Sequence, residues 1–304
     1  MENQNSTFEA SLKSLEMENY LDTRFYRPIG FRIALLLKNT SITPNMVTII
    51  SIFFGVAAGI LFYPEDILLN LLGIFLLIFA NILDCVDGQL ARLTGIKSEV
   101  GRILDGIAGD LWFVAIYIAI AMRLEQTIPW AYPSVWAWTL ASLAGASNLW
   151  QANIVDYYKT LHLYFISLEK GEEFDTIERV RAKYAQMPRG INKVMQWLYI
   201  YYTILQSKTT PQLQKLLIRL KEKYGEDFPE NIRQDLRAKN MKIMPFINRT
   251  TFNGRSVVLF LSLILSYYVP WALIIYLLYE IVFLNFCLIL ARIIHENICK
   301  NYKV

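Results

Sequence analysis

Residues 81–110 read NILDCVDGQLARLTGIKSEVGRILDGIAGD and set Asp84, Asp87, Asp105 and Asp110 within one of the most apolar parts of the chain. Asp84, Asp87, Gly88, Ala91 and Arg92 recur at three- and four-residue intervals, which places them on one face of a helix. Gly101 and Asp105 lie four residues apart on the next helix, and the short loop between the two helices lets these faces meet. An ionised Asp within a membrane span costs roughly 2.5–3.5 kcal/mol on insertion scales, so several at one depth call for a compensating charge. Oxygen ligands without His or Cys suit a hard divalent cation, Mg²⁺ or Mn²⁺, which commonly holds phosphate oxygens. Gly88, Ala91 and Gly101 fit the same reading, because small residues let helices approach and let a phosphorylated ligand lie against backbone.

The surroundings support a membrane setting. The chain has 304 residues, 55% of them apolar and 14% aromatic, and a mean hydropathy of +0.32. This is more apolar than an ordinary soluble domain. Thr43 is an N-cap and Pro44 a first-turn residue for an apolar run to about Tyr63. Further apolar helices are expected over 67–92, 100–122 and from Pro129 or Pro133 to Val155, and Pro270 divides the run 255–298 into two. The expected fold is therefore all-α and polytopic with six transmembrane helices. PIGFRIALLLKN, residues 28–39, is too short to cross a bilayer and reads as an interfacial helix.

The chain divides into a polar N-terminal tail (1–24), an interfacial helix with four spans (25–155), a basic amphipathic helical insert (156–250) and two last spans with a tail (251–304). The insert carries Lys215, Arg219, Lys221 and Lys223, and the Tyr and Trp of QWLYIYY and of the fourth span mark a membrane interface. With six spans, the insert, the Lys97 loop and both termini share one side, which the positive-inside rule makes cytoplasmic. The start of the chain has no apolar run of the signal-peptide kind. Cys85, Cys287 and Cys299 form no CxxC pair and read as small core residues. His162 and His295 lack metal-ligand spacing, and a net charge of +4 gives no indication of nucleic-acid binding.

The string from Asp84 to Asp105 resembles the signature of the CDP-alcohol phosphotransferase family, also called CDP-alcohol phosphatidyltransferases: DxxDGxxAR, eight residues, then GxxxDxxxD. ITPNMVT at the first span is similar to that family as well. The resemblance implies a metal-dependent membrane transferase of phospholipid synthesis, a homodimer, with its site facing the cytoplasm of a bacterial inner membrane. Asp84, Asp87 and Asp105 would be metal ligands, and Gly88, Ala91, Arg92 and Gly101 would line the CDP site. The last motif Asp, which acts as general base and helps hold metal, falls at position 109, which here is Gly; the carboxylate is Asp110. A one-residue shift turns a helical side chain by roughly 100°. A π-bulge near Gly106 and Gly109 would restore the register, and on that reading Asp110 joins Asp105 as catalytic residue and metal ligand.

The expected reaction takes a phosphatidyl group from CDP-diacylglycerol to a hydroxyl of a polar, phosphorylated alcohol such as inositol phosphate or glycerol phosphate, releasing CMP. Lys159, Arg255 and Arg292 favour such an anionic acceptor. The alternatives are transfer of a phospho-headgroup from a CDP-linked alcohol to diacylglycerol or ceramide, and a catalytically silent CDP-lipid-binding relative.

Overall fold

The computed structural model describes residues 8–96, 99–167, 174, 176–188, 190–225 and 228–303, and the regular elements among them are all helical. Lys97 lies outside the described residues. In chain order the helices are α1 (Arg27–Leu37), α2 (Pro44–Leu61), α3 (Ile67–Thr94), α4 (Glu99–Thr127), α5 (Pro133–Ile166), α6 (Ile177–Gln186), α7 (Ile191–Thr209), α8 (Pro211–Tyr224), α9 (Glu230–Asn240), α10 (Met244–Arg249), α11 (Phe252–Leu265), α12 (Ala272–Leu278) and α13 (Asn285–Asn301). A π-helical turn at Asp22–Tyr26 leads into α1, and another at Tyr279–Leu284 joins α12 to α13.

Among the described residues four helices are long and apolar enough to cross a membrane: Pro44–Leu61, Ile67–Thr94, Leu104–Thr127 and the continuous stretch Ala272–Asn301. They correspond to the first, second, third and last expected spans. The chain is thus a helical, multi-pass membrane protein. The other two expected spans fall on α5 and α11. Helix α5 dilutes its apolar residues with Gly145, Asn148 and Gln151, whereas α11 is apolar but only 14 residues long.

The chain forms two units, 1–149 with 252–285, and 150–251 with 286–304. In the first, the Thr43 hydroxyl accepts from the Met46 amide and starts α2, and the Asp66 carboxylate accepts from the Leu69 amide at 2.9 Å and starts α3. Gly95, at φ 72°, ends α3 in the left-handed conformation that glycine adopts without cost. Gly55 and Gly59 face α4 so closely that a Cβ would come within 2.1 Å of the Trp112 ring and 2.8 Å of Ala115 Cβ. These two glycines set the approach of α2 to α4, with Trp112, Ile116 and Ile120 in the core. A separate cluster packs Tyr26 and Ala34 against Ile82, Val86 and Leu90 and so holds α1 on the motif-bearing half of α3.

Arg123, 3% exposed, donates to Asn70 Oδ1 at 2.7 Å and to Ser266 Oγ at 2.8 Å. The Tyr267 hydroxyl donates to the same Asn70 oxygen, so one buried cation ties α3, α4 and the end of α11 together.

The second unit gathers Tyr158, Leu161 and Phe165 of α5, Leu213, Leu216 and Leu220 of α8, and Leu288 and Ala291 of α13. The Glu296 carboxylate accepts from the Gln212 amide at 2.8 Å and the Leu213 amide at 3.3 Å, capping the N-terminus of α8.

Candidate metal and phosphate site

Asp84 and Asp87 stand one turn apart near the end of α3, and Asp105 stands in the second turn of α4. Their carboxylates converge: one oxygen from each lies within 4.8 Å of the others. Asp87 is buried, Asp84 half-buried and Asp105 exposed, so the cluster runs from the helix interface outward. Thr48 of α2 fixes the inner member by donating its hydroxyl to Asp87 Oδ2 at 2.5 Å. Two unit charges about 4 Å apart repel by roughly 4 kcal/mol at an effective dielectric near 20. A bound cation would relieve this repulsion, and an all-oxygen set suits Mg²⁺ or Mn²⁺. The residues present therefore fit the expected metal.

Asp110 is not in this group. α4 is regularly α-helical through this stretch, without a π-bulge, so Asp110 lies roughly 140° round the helix from Asp105. It is half-buried and within electrostatic reach of Arg255. Arg255 donates to Glu280 Oε2 at 3.2 Å with both side chains buried, and its guanidinium lies 5.5 Å from the centre of the Phe113 ring. Arg292, in the second unit, donates Nε to the Thr209 carbonyl at 2.7 Å. Both arginines expected near an anionic acceptor thus have protein partners.

The residues expected at the CDP site line up along the same end of α3. Gly88, Ala91 and Arg92 are half-buried, as is Gly101 on α4. The Arg92 guanidinium folds back over Gly88, where an added Cβ would meet Nη2 at 3.2 Å. This places a cation on the bare backbone patch that the motif provides.

Four partners of the site were not read from the sequence. Thr48 is one. The Ser11 carbonyl accepts from Arg92 Nε, and the Ser11 hydroxyl accepts from Gln89 Nε2 at 3.3 Å. Asp22 accepts from Asn253 Nδ2 at 2.8 Å, and Arg27 pairs with Glu18 at 3.1 Å; both Asp22 and Arg27 act electrostatically on Asp84. Burial, reinforced by Asp22 and Cys85, pushes the Tyr26 phenol up to about 12, so it stays a neutral hydroxyl. Ser11, Leu12, Ser14 and Met17 are buried, and Ser11 ties the expected polar tail to the motif helix. The hint lay in its apolar residues, but their spacing matches neither helix nor strand.

His162 sits buried with its Nδ1 3.2 Å from Asn240 Nδ2, and His295 lies edge-on to Tyr158; both are packing residues.

The segment that carries this site also matches known proteins. Residues 41–169 match the family model described as CDP-alcohol phosphatidyltransferase. An archaetidylinositol phosphate synthase of Pyrococcus horikoshii is 38% identical over 91 residues, 30% of this chain and 47% of that protein. A ceramide phosphoethanolamine synthase of Drosophila melanogaster is 30% identical over 116 residues, 36% of this chain and 28% of that protein. The chain thus aligns with less than half the length of either relative.

Proposed function

We propose, from the premise that residues 41–169 are a CDP-alcohol phosphatidyltransferase domain, that the chain transfers a phosphatidyl group from CDP-diacylglycerol to a hydroxyl of a polar, phosphorylated alcohol and releases CMP. The observation that carries the reaction class is the convergence of Asp84, Asp87 and Asp105 within the matched segment. The phosphorylated acceptor is supported by the name of the archaeal relative, an archaetidylinositol phosphate synthase.

Asp84, Asp87 and Asp105 would hold the divalent cation, which supplies positive charge against the donor diphosphate. Thr48 orients Asp87 for that task. Gly88 keeps the backbone clear, and Arg92, lying over Gly88, offers its guanidinium to a phosphate oxygen. In the transfer, the acceptor oxygen bonds to the phosphorus that carries the diacylglycerol, the bond from that phosphorus to the bridging oxygen breaks, and CMP departs with the electron pair. The hydroxyl proton needs a base. We assign this role to Asp110, the next carboxylate after Asp105 on α4, which lies outside the metal group and within electrostatic reach of Arg255. Six spans, with α5 and α11 as the remaining two and the site on the cytoplasmic side, belong to the same reading, as does assembly as a homodimer.

The Drosophila relative favours a second reading, transfer of a phospho-headgroup from a CDP-linked alcohol to a lipid hydroxyl such as that of ceramide. One experiment separates the two. The purified protein in detergent with Mg²⁺ or Mn²⁺ receives CDP-diacylglycerol with inositol phosphate or glycerol phosphate, and separately CDP-ethanolamine with diacylglycerol or ceramide. CMP release in the first mixture alone supports the phosphatidyl transfer; release in the second alone replaces it with headgroup transfer; release in neither contradicts both.

A further inference from the structure

Helix α7, Ile191–Thr209, is amphipathic the wrong way round for a helix surrounded by water. Its inward side chains are mostly polar, with Ile200 the apolar one among those described: Gln196 donates to the Val180 carbonyl at 3.4 Å, Gln206 donates to the Asn153 carbonyl at 3.1 Å, and Thr203 and Thr209 are buried as well. Its outward side chains are apolar. Val194, Trp197, Tyr201 and Leu205 recur at three- and four-residue spacing on one face and are 57%, 44%, 57% and 40% exposed. A helix in water buries its apolar stripe; one that buries glutamines and exposes a Trp–Tyr–Leu stripe has an apolar medium outside it.

Three further observations point to the same medium. The exposed aromatics are the types that gather where hydrocarbon meets headgroups, and the rings of Trp197 and Tyr201 touch edge to face with centroids 4.8 Å apart. A lysine stands at each end of the stripe. Lys208 is exposed, and Lys193 reaches over the Tyr184 ring at the edge of a groove of about 460 Å³ lined by Tyr184, Gly190, Lys193, Val194 and Trp197. The end of α7 is also tied to a membrane span within its own unit. The Thr209 carbonyl accepts from Arg292 of α13, nine residues before the end of the apolar stretch Ala272–Asn301.

We infer that the Val194–Trp197–Tyr201–Leu205 face of α7 is a lipid-docking surface, lying in the interfacial layer of the bilayer with Lys193 and Lys208 against anionic headgroups. This holds whichever CDP donor the protein uses. The aromatic stripe supplies the apolar contact and the two lysines supply selectivity for negative charge.

The test places a nitroxide on full-length protein reconstituted in phosphatidylcholine vesicles, at Tyr201→Cys and, in a second variant, at Leu205→Cys. Cys85, Cys287 and Cys299 are buried, which makes labelling at the new thiol selective. The expected result is a collision rate several-fold higher with oxygen than with the water-soluble nickel complex Ni(II)EDDA at both positions. Adding phosphatidylglycerol should lower nickel access by about twofold or more, and Lys193→Gln with Lys208→Gln should remove that change. Greater access to nickel than to oxygen overturns the lipid assignment. Shielding from both reagents also overturns it, because protein would then cover the face. Immersion without any response to phosphatidylglycerol overturns the headgroup part.

Discussion

Thr48 and Asp87 show how one contact orders the site. Thr48 stands 39 positions before its partner and yet fixes the most buried of the three carboxylates. Replacement by Val keeps the shape and removes the donor, and is expected to weaken Mn²⁺ binding by roughly 10–100-fold. Titration of the bound ion by electron paramagnetic resonance would read this directly, and unchanged affinity would remove Thr48 from the site. Asp110→Asn keeps volume and removes the base. It should lower kcat by ~10²–10⁴-fold while leaving Mn²⁺ affinity unchanged, since Asp110 is outside the carboxylate group. Reduced Mn²⁺ affinity in that variant would instead make it a ligand. The carboxylate triad itself was legible because helical spacing converts sequence intervals into faces. The register of Asp110 was not: a π-bulge would have realigned it, but π turns occur at Asp22–Tyr26 and Tyr279–Leu284 and not in α4.

At the scale of elements, close approach and capping carry the architecture. Gly55→Ala forces a methyl into the Trp112 ring, and overpacking of this kind costs about 1–3 kcal/mol. The thermal midpoint of the purified protein should fall, and an unchanged midpoint would mean that α2 and α4 are not held this closely. Asp66→Ala removes the N-cap of α3 and should cost ~1 kcal/mol by the same measurement.

In α9, Asp235 pairs with Lys239, and this hydrogen bond first, with that from Tyr302, holds its carboxyl below the usual range. A depressed pKa contributes stability that is present above the ordinary carboxylate range and is lost as pH falls through the folded value. Amide exchange around Tyr302 should therefore speed up, relative to intrinsic rates, between pH 7 and pH 3, and Asp235→Asn should abolish that dependence. The span start at Thr43-Pro44 was legible from local chemistry. The polar inward face of α7 was not, because its partners, the Val180 and Asn153 carbonyls, are distant in sequence.

For the molecule as a whole, a chain of two units carries its chemistry-bearing carboxylates in one of them, on α3 and α4, within the matched segment 41–169. The apolar lengths of α2, α3, α4 and the stretch through α13 were readable because a bilayer demands them. The docking of Ser11 on the motif was not, since its contacts with Gln89 and Arg92 span about eighty positions. The central claim is that the triad serves CDP chemistry. The most direct measurement is CMP release from the proposed donor by wild-type protein and by Asp105→Asn, each with Mg²⁺ and with EDTA. The account predicts release by wild type with Mg²⁺, none with EDTA, and a loss of ~10²–10³-fold or more in the variant. Full turnover by Asp105→Asn, or turnover indifferent to EDTA, would contradict it.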